Sequence, residues 1–141
     1  MKVTLERINE KYHFEAKGTS GIPVNIDTGL DGPSRGASPM ELVLMGIGGC
    51  SAIDVINILE KQRQTITGYQ MEVTGEREPY EQANPYKSVH VKILLEGEID
   101  PKKAARAAKL SFEKYCSVSL TMQNVGLTYG ISINGEEIDL A

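Results

Sequence analysis

The stretch Ser38–Asp54, SPMELVLMGIGGCSAID, decides the fold of this chain because it begins a long and almost wholly apolar helix. Ser38 is a good helix cap, Pro39 suits the first helical position, and Glu41 completes the capping-box pattern. The apolar pattern then continues without a turn signal, and the helix is predicted to end at about Arg63. A helix of this kind must form the centre of the molecule.

The apolar run Met40–Leu59 is about as long as a membrane span. It is interrupted by polar residues and glycines: Glu41, Gly46, Gly48, Gly49, Asp54 and Asn57. We therefore predict a deeply buried helix of a soluble protein, with no membrane contact. A helix that is apolar nearly all round needs cover on every side, and a chain of 141 residues has little cover to spare. The simplest source of cover is a second copy, which predicts an intertwined homodimer with a large apolar interface.

Three glycines inside the helix, Gly46, Gly48 and Gly49, each cost about 1 kcal/mol relative to alanine. Two physical reasons for them remain open from the sequence. Either another backbone approaches closely at these positions, or the helix is locally broken there.

The residues around this helix predict strands and a second helix. Apolar and polar residues alternate in six segments, which predicts half-buried strands. The segments lie near residues 3–5, 12–16 and 22–26, and at 69–76, 88–95 and 127–133. Asp100 and Pro101 start a second helix that is expected to end near Cys116, followed by a short turn of helix, capped by Ser117, over residues 118–124. Together these elements predict one α+β domain over residues 1–141.

Composition excludes several classes of protein. Fifteen Lys and Arg against nineteen Asp and Glu give a net charge of −4, which argues against a nucleic-acid partner. The N-terminal segment lacks the apolar core of a signal peptide, so we expect a cytoplasmic protein with reduced thiols. The two cysteines, Cys50 and Cys116, are too far apart for a CxxC motif, which argues against a zinc cage, and nothing in the sequence indicates a metal or a cofactor.

The chemistry at Cys50 depends on which of two geometries the helix adopts. In a continuous helix, Cys50 shares a face with Asp54 one turn away, and this anion opposes thiolate formation unless a cation intervenes. If the helix breaks at the glycines, backbone N–H groups at the new helix start favour the thiolate. Cys116 lies between two helices, where the same effect applies. For either cysteine alone, an inert buried thiol is the more common outcome.

Other polar residues are weaker candidates for a site. Glu41 lies nine residues before Cys50, which places it on the opposite face of a regular helix and favours the capping role. Arg35, in a glycine-rich loop, could bind an anion near the helix start, although a solvated arginine is more common. His13 and His90 lie at strand positions and are predicted to be structural.

The segments Ser38–Asp54 and Tyr115–Ser119 resemble the OsmC/Ohr family of osmotically inducible and organic hydroperoxide resistance proteins, most closely its YhfA-type branch. The order of strands and helices extends the resemblance over nearly the whole chain. The resemblance implies an OsmC-like α+β fold in which antiparallel sheets wrap around two long central helices, one from each subunit of an intertwined homodimer. It also offers a reason for the glycines, since two central helices in contact favour small residues.

The better-understood members of this family are stress-response thiol peroxidases. The resemblance implies that Cys50 attacks the O–O bond of an organic hydroperoxide, and that Cys116 then condenses with the sulfenic acid to form a disulfide. A dithiol, typically lipoyl-based, is the implied reductant. In these peroxidases a glutamate directly after the proline and an arginine from the N-terminal hairpin orient the reactive cysteine. Here Met40 stands at the glutamate position and Glu41 follows it, while Arg35 is the candidate for the arginine.

Two other functions remain open from the sequence. The first is a dimer of the same fold that has no peroxidase activity and binds a small apolar ligand near the dimer cleft. The second is a redox-regulatory protein that exchanges disulfides with another protein through Cys50 and Cys116. The distance between the two sulfurs distinguishes the first of these from a peroxidase, because a redox pair must be close enough to bridge.

Overall fold

The computed structural model describes residues 1–140, which form two compact units, Met1–Val43 and a second that begins at Leu44. The first unit contains a small antiparallel sheet of three strands, β1 (Thr4–Arg7), β2 (Phe14–Lys17) and β3 (Val24–Ile26), in that order. All three strands were expected from the alternation of apolar and polar residues. The single domain predicted over residues 1–141 stays a prediction.

The central helix, α1, runs from Pro39 to Lys61 and begins as the sequence predicts. The Ser38 hydroxyl accepts a hydrogen bond from the Glu41 amide at 3.2 Å, and the Glu41 carboxylate accepts one from the Ser38 amide at 3.1 Å. These two bonds satisfy backbone donors that a helix start leaves without partners. The capping box is therefore present.

The glycines of α1 do not break the helix, which is continuous from end to end. A Cβ atom added at Gly48 would lie 3.0 Å from Val73 Cγ2 and 3.3 Å from Met71 Sδ. Close approach of another element is thus the reason for glycine at this position. Added Cβ atoms at Gly46 and Gly49 would meet nothing within 4 Å.

The second unit contains a four-stranded sheet of β4 (Thr65–Arg77), β5 (Tyr86–Glu98), β6 (Gly126–Ile133) and β7 (Glu136–Glu137). The strands lie in that order, and β4 pairs with β5 in an antiparallel register over almost their whole length. The pair β5–β6 is parallel, from Ser88 opposite Gly126 to Leu95 opposite Ile133. The expectation of antiparallel sheets therefore holds for the hairpins and is corrected at β6, because a helical crossover separates β5 from β6 and returns the chain in the same direction.

The crossover contains α2 (Pro101–Leu110), a π-helical turn (Ser111–Tyr115) and α3 (Ser117–Thr121). Asp100 caps α2 by accepting a hydrogen bond from the Lys102 amide at 2.9 Å. The helix predicted to run to Cys116 thus has a different last turn, in which the Cys116 amide donates to the Ser111 carbonyl five residues earlier at 2.7 Å. This wider turn begins at Ser111 and ends directly before Cys116.

Within one chain, α1 is buried along one side only, and the deep burial expected of it in a homodimer stays a prediction. Its buried residues form one stripe: Ile47, Gly48, Ser51, Val55 and Leu59. The helix is long and apolar enough to cross a membrane by length and composition, with a mean hydropathy of 1.9 over 18 residues, and only 28% of that window is buried. Met45 and Ile53 are 58% and 63% exposed. The sheet covers one side of the helix, and the opposite side remains uncovered in the single chain.

Candidate active site

The fold brings two cysteines and one aspartate of the second unit into one cluster. The sulfurs of Cys50 and Cys116 and a carboxylate oxygen of Asp54 all lie within 4.8 Å of one another. Cys50 and Asp54 are half-buried on α1, whereas Cys116 is 0% exposed at the junction between the π-helical turn and α3. Both cysteines are free thiols. Residues 66 positions apart in the sequence thus form one site.

Because α1 is continuous, Cys50 and Asp54 lie one helical turn apart on the same face, as the first of the two predicted geometries requires. No new helix start lies at Cys50 to favour its thiolate. The Asp54 carboxylate instead accepts a hydrogen bond from the Ser111 hydroxyl at 2.9 Å. Sequence reasoning missed Ser111, since its partner lies 57 positions away and nothing local marks the pairing.

The Cys116 sulfur is held by a second serine. It accepts hydrogen bonds from the Ser119 hydroxyl at 3.1 Å and from the Ser119 amide at 3.4 Å. Cys116 is therefore the capping residue of α3, a role that the sequence assigned to Ser117. The three-residue spacing from Cys116 to Ser119, which is typical of a cap and its target amide, could have identified this contact.

Burial raises the pKa of the Cys116 thiol above its ordinary value. The two hydrogen bonds from Ser119 act in the opposite direction because they stabilise the thiolate, while the nearby Cys50 raises the pKa further. The net effect keeps Cys116 as a neutral thiol over a wider pH range than an ordinary cysteine.

The other predicted site residues lie in different surroundings. The Glu41 side chain takes part in the capping box, and the Arg35 amide donates to the Asp27 carboxylate at 3.1 Å in the loop of the first unit. Any action of Glu41 or Arg35 on Cys50 stays a prediction. His13 bonds to Asn25 and His90 bonds to Thr128, at 2.9 Å and 2.6 Å, as structural histidines do.

An open pocket of about 580 Å³ adjoins the cluster. It is lined by Asp54, Asn57, Ile58, Lys61, Gln62, Leu110 and Tyr115. Its α1 residues recur every three or four positions, so one face of the helix leads from Asp54 towards Lys61. Tyr115 directly precedes Cys116, and Ile58 and Leu110 add apolar surface. The pocket therefore places mixed polar and apolar surface next to the Asp54 member of the cluster.

Comparison with known proteins identifies the same architecture. Residues 31–129 match the family described as OsmC-like protein. Protein YhfA of Escherichia coli K12 is 39% identical over 122 residues, covering 85% of this chain and 89% of its own.

Two solved structures share the fold. A hypothetical protein from Aquifex aeolicus is 30% identical, with a TM-score of 0.79 over 94% of this chain and 96% of its own. The organic hydroperoxide resistance protein OhrB of Bacillus subtilis is 18% identical, with a TM-score of 0.64 over 93% of this chain and 96% of its own. The match of one family over most of the sequence, together with the identity to YhfA, establishes that this chain belongs to the OsmC-like family.

Proposed function

We propose that this protein is a cytoplasmic thiol-dependent peroxidase that reduces organic hydroperoxides through Cys50 and Cys116. The observation that carries the proposal is the approach of the two sulfurs to within 4.8 Å, one half-exposed and one buried. A protein that only binds an apolar ligand has no need of two adjacent free thiols. A nucleophile that a substrate can reach and a protected second thiol are what a two-cysteine peroxidase requires.

In the first step, the Cys50 thiolate attacks the terminal oxygen of the hydroperoxide and the O–O bond breaks. The sulfur becomes a sulfenic acid, and the alkoxide takes up a proton and leaves as the alcohol. Cys50 is the nucleophile because it is half-exposed, whereas Cys116 is fully buried and its pKa is raised. The thiolate form is required since it is the attacking species.

In the second step, the Cys116 sulfur attacks the sulfenic sulfur of Cys50, water leaves, and a disulfide forms. Bond formation brings the sulfurs from their present separation to about 2.05 Å. Cys50 lies on a helix face and Cys116 at the junction before α3, so the disulfide would join two elements of the second unit. A dithiol of the lipoyl type then reduces the disulfide and returns both thiols.

Asp54 is positioned to take the proton from Cys50. Its carboxylate lies within 4.8 Å of that sulfur and is oriented by the hydrogen bond from Ser111. This arrangement supplies a carboxylate from inside α1, whereas the resemblance to peroxidases implies one from the residue after the proline, where Met40 stands. General-base action by an oriented carboxylate needs no adjacent arginine.

The neighbouring pocket supports an organic substrate rather than hydrogen peroxide alone. Ile58, Leu110 and Tyr115 provide apolar surface beside Asp54. An alkyl or aryl group in this pocket would have its peroxide end towards the sulfurs. The likeness to a hydroperoxide resistance protein of the same fold agrees with this substrate class.

The active form is proposed to be a homodimer, because an apolar stripe of α1 lacks cover in one chain. Met45, Gly49 and Ile53 follow one another at intervals of four residues and are all exposed. An uncovered apolar helix face of this kind is stabilised by packing against another copy of itself.

The test is consumption of cumene hydroperoxide by the reduced protein with dihydrolipoamide as the electron donor. We expect turnover by the wild-type chain, none above background by Cys50→Ser, and single-turnover reaction without recycling by Cys116→Ser. The oxidised wild-type chain should lose two mass units per chain, as one disulfide requires. Equal activity of wild type and Cys50→Ser would overturn the proposal.

Disulfide exchange with another protein is the competing use of the same thiols. Cys116→Ser leaves Cys50 unable to resolve internally, so a protein partner would be trapped as a mixed disulfide. Trapping of one specific protein together with no hydroperoxide turnover would favour the regulatory function over the peroxidase.

A further inference from the structure

The cluster of Cys50, Asp54 and Cys116 brings two sulfurs and a carboxylate oxygen to one point. These three atoms lie within 4.8 Å of one another. Among residues 1–140, Asp54 takes part in no ion pair, and its hydrogen-bond partner is the neutral Ser111 hydroxyl. Three possible ligand atoms from two separate parts of the chain therefore lie within reach of a single ion.

The donor set suits one class of cation. Two thiolate sulfurs and one carboxylate oxygen are ligands for a borderline-soft divalent ion such as Zn²⁺, which binds sulfur at about 2.3 Å and oxygen at about 2.0–2.2 Å. In a tetrahedral site these bond lengths place neighbouring ligand atoms about 3.6–3.8 Å apart. The present separations, within 4.8 Å, exceed this spacing by about 1 Å at most. Three protein ligands leave the fourth coordination position to water.

Two of the three ligands are already fixed by outer hydrogen bonds. Ser111 orients the Asp54 carboxylate at 2.9 Å, and Ser119 donates two bonds to the Cys116 sulfur, at 3.1 Å and 3.4 Å. Partners of this kind hold metal ligands in orientation and stabilise the thiolate form. Ser111 belongs to the π-helical turn and Ser119 to α3. These two parts of the crossover therefore support ligands that lie on α1 and at the junction before α3.

We propose that the reduced protein binds one zinc-type divalent cation at Cys50, Asp54 and Cys116. This inference goes beyond the peroxidase activity and does not depend on it. A bound cation ties up both thiolates and protects them from oxidation. Reaction of the metal-bound pair with one hydroperoxide and two protons would form the disulfide, one alcohol and one water, and release the cation unchanged in charge. Metal binding would thus be confined to the reduced state.

The experiment uses the full-length reduced protein under anaerobic conditions, titrated with Zn²⁺ against a chromophoric chelator and with Co²⁺ as a spectroscopic probe. We expect one ion per chain and a thiolate-to-Co²⁺ charge-transfer absorption. Cys50→Ser should abolish the absorption. Asp54→Asn, which keeps the size and the Ser111 bond, should weaken Zn²⁺ binding at least about tenfold, and Ser119→Ala should weaken it about 10-fold or more.

Asp31→Asn, an exposed carboxylate in the first unit, and Ser117→Ala are the matched controls and should bind as the wild type does. Circular dichroism checks that each variant is folded, and Cys50→Ser and Asp54→Asn carry the test if Cys116→Ser does not fold. The inference would be overturned if Zn²⁺ does not compete with the chelator, or if more than one ion binds per chain. It would also be overturned if Cys50→Ser binds Zn²⁺ as the wild type does. Peroxide turnover without metal binding rejects this site alone, whereas metal binding without turnover rejects the peroxidase alone.

Discussion

At the scale of single residues, Asp54 has the largest consequence for the chemistry of the thiols. Its carboxylate lies one helical turn from Cys50 and within 4.8 Å of that sulfur. The Ser111 hydroxyl donates a hydrogen bond to this carboxylate and so holds its orientation. In the proposed mechanism, Asp54 held by Ser111 supplies the carboxylate beside Cys50, while the roles that the family resemblance implies for Glu41 and Arg35 stay predictions.

Replacing Ser111 by alanine tests this orientation. The variant leaves a half-buried carboxylate oxygen without its donor, and the free energy of unfolding should fall by about 1–2 kcal/mol. If the proposed function holds, kcat/KM for cumene hydroperoxide should fall about three- to tenfold, with Ser117→Ala as the control. Stability is measured by urea denaturation. Unchanged kcat/KM in a destabilised variant would assign Ser111 a purely structural role.

Asp27 predicts a pH dependence of stability in the first unit. Hydrogen bonds from the amides of Arg35 and Thr28 lower the pKa of its carboxyl below the ordinary value of 3.8. Because the folded pKa is the lower one, the ionised carboxylate stabilises the folded state above pH 3.8, and this contribution is lost as the pH falls through the folded pKa.

In urea denaturation between about pH 5 and pH 2, Asp27→Asn should therefore show a shallower loss of stability than the wild type. Asp31→Asn, an exposed carboxylate of the same loop, should follow the wild type. Parallel curves for Asp27→Asn and the wild type would contradict a contribution from this carboxylate.

The site could be predicted from the sequence only in part. Helical periodicity places Cys50 and Asp54 on one face, and the junction after the second helix marks Cys116. Ser111 could not be found in this way, because its contact depends on how the crossover packs against α1 and not on any local spacing. The raised pKa of Cys116 also required the structure, since it follows from burial.

At the scale of elements, α1 and its capping box follow directly from sequence, whereas two features of the crossover do not. The alternation that predicts β6 is the same for parallel and antiparallel strands, so its direction beside β5 was undetermined. The π-helical turn at Ser111–Tyr115 has no periodic sequence signal, because its five residues are too few to show one. Tertiary packing decides both.

Gly48 provides the prediction at this scale. A methyl group there would lie 3.0 Å from Val73 Cγ2, and the β-branched Val73 side chain on a paired strand has little freedom to move. Overpacking of this kind costs about 1–3 kcal/mol, against about 1 kcal/mol from improved helix propensity. Gly48→Ala should therefore be less stable in urea denaturation than the wild type.

Gly48→Ala in a Val73→Ala background is the matched comparison, because the change in helix propensity is the same but the Val73 methyl that the added Cβ would meet at 3.0 Å is absent. The cost of Gly48→Ala should be smaller in this background than in the wild type, and the difference isolates the contact with the sheet. An equal cost in both backgrounds would contradict the close packing of α1 on β4.

At the scale of the whole molecule, the exposed side of α1 is the observation behind the proposed homodimer. Met45, Gly49 and Ile53 form an exposed stripe opposite the side that faces the sheet, and only 28% of the helix window is buried. Small residues such as Gly49 allow two helices to approach closely, which offers a reason for a glycine that contacts nothing in one chain. This stripe is the surface through which we expect two copies to associate.

Ile53→Glu should convert the dimer into a monomer, because Ile53 is 63% exposed in the chain and would be buried between two copies of α1. A buried carboxylate without a partner is strongly unfavourable, and two related by symmetry would also repel each other. Sedimentation velocity of the reduced protein should show about twice the 15.4 kDa chain mass for the wild type and the chain mass for the variant. Leu30→Glu places the same charge at an exposed leucine outside α1 and should remain dimeric. A wild-type protein that sediments as a monomer, or an Ile53→Glu variant that stays dimeric, would show that another contact covers this face of the helix.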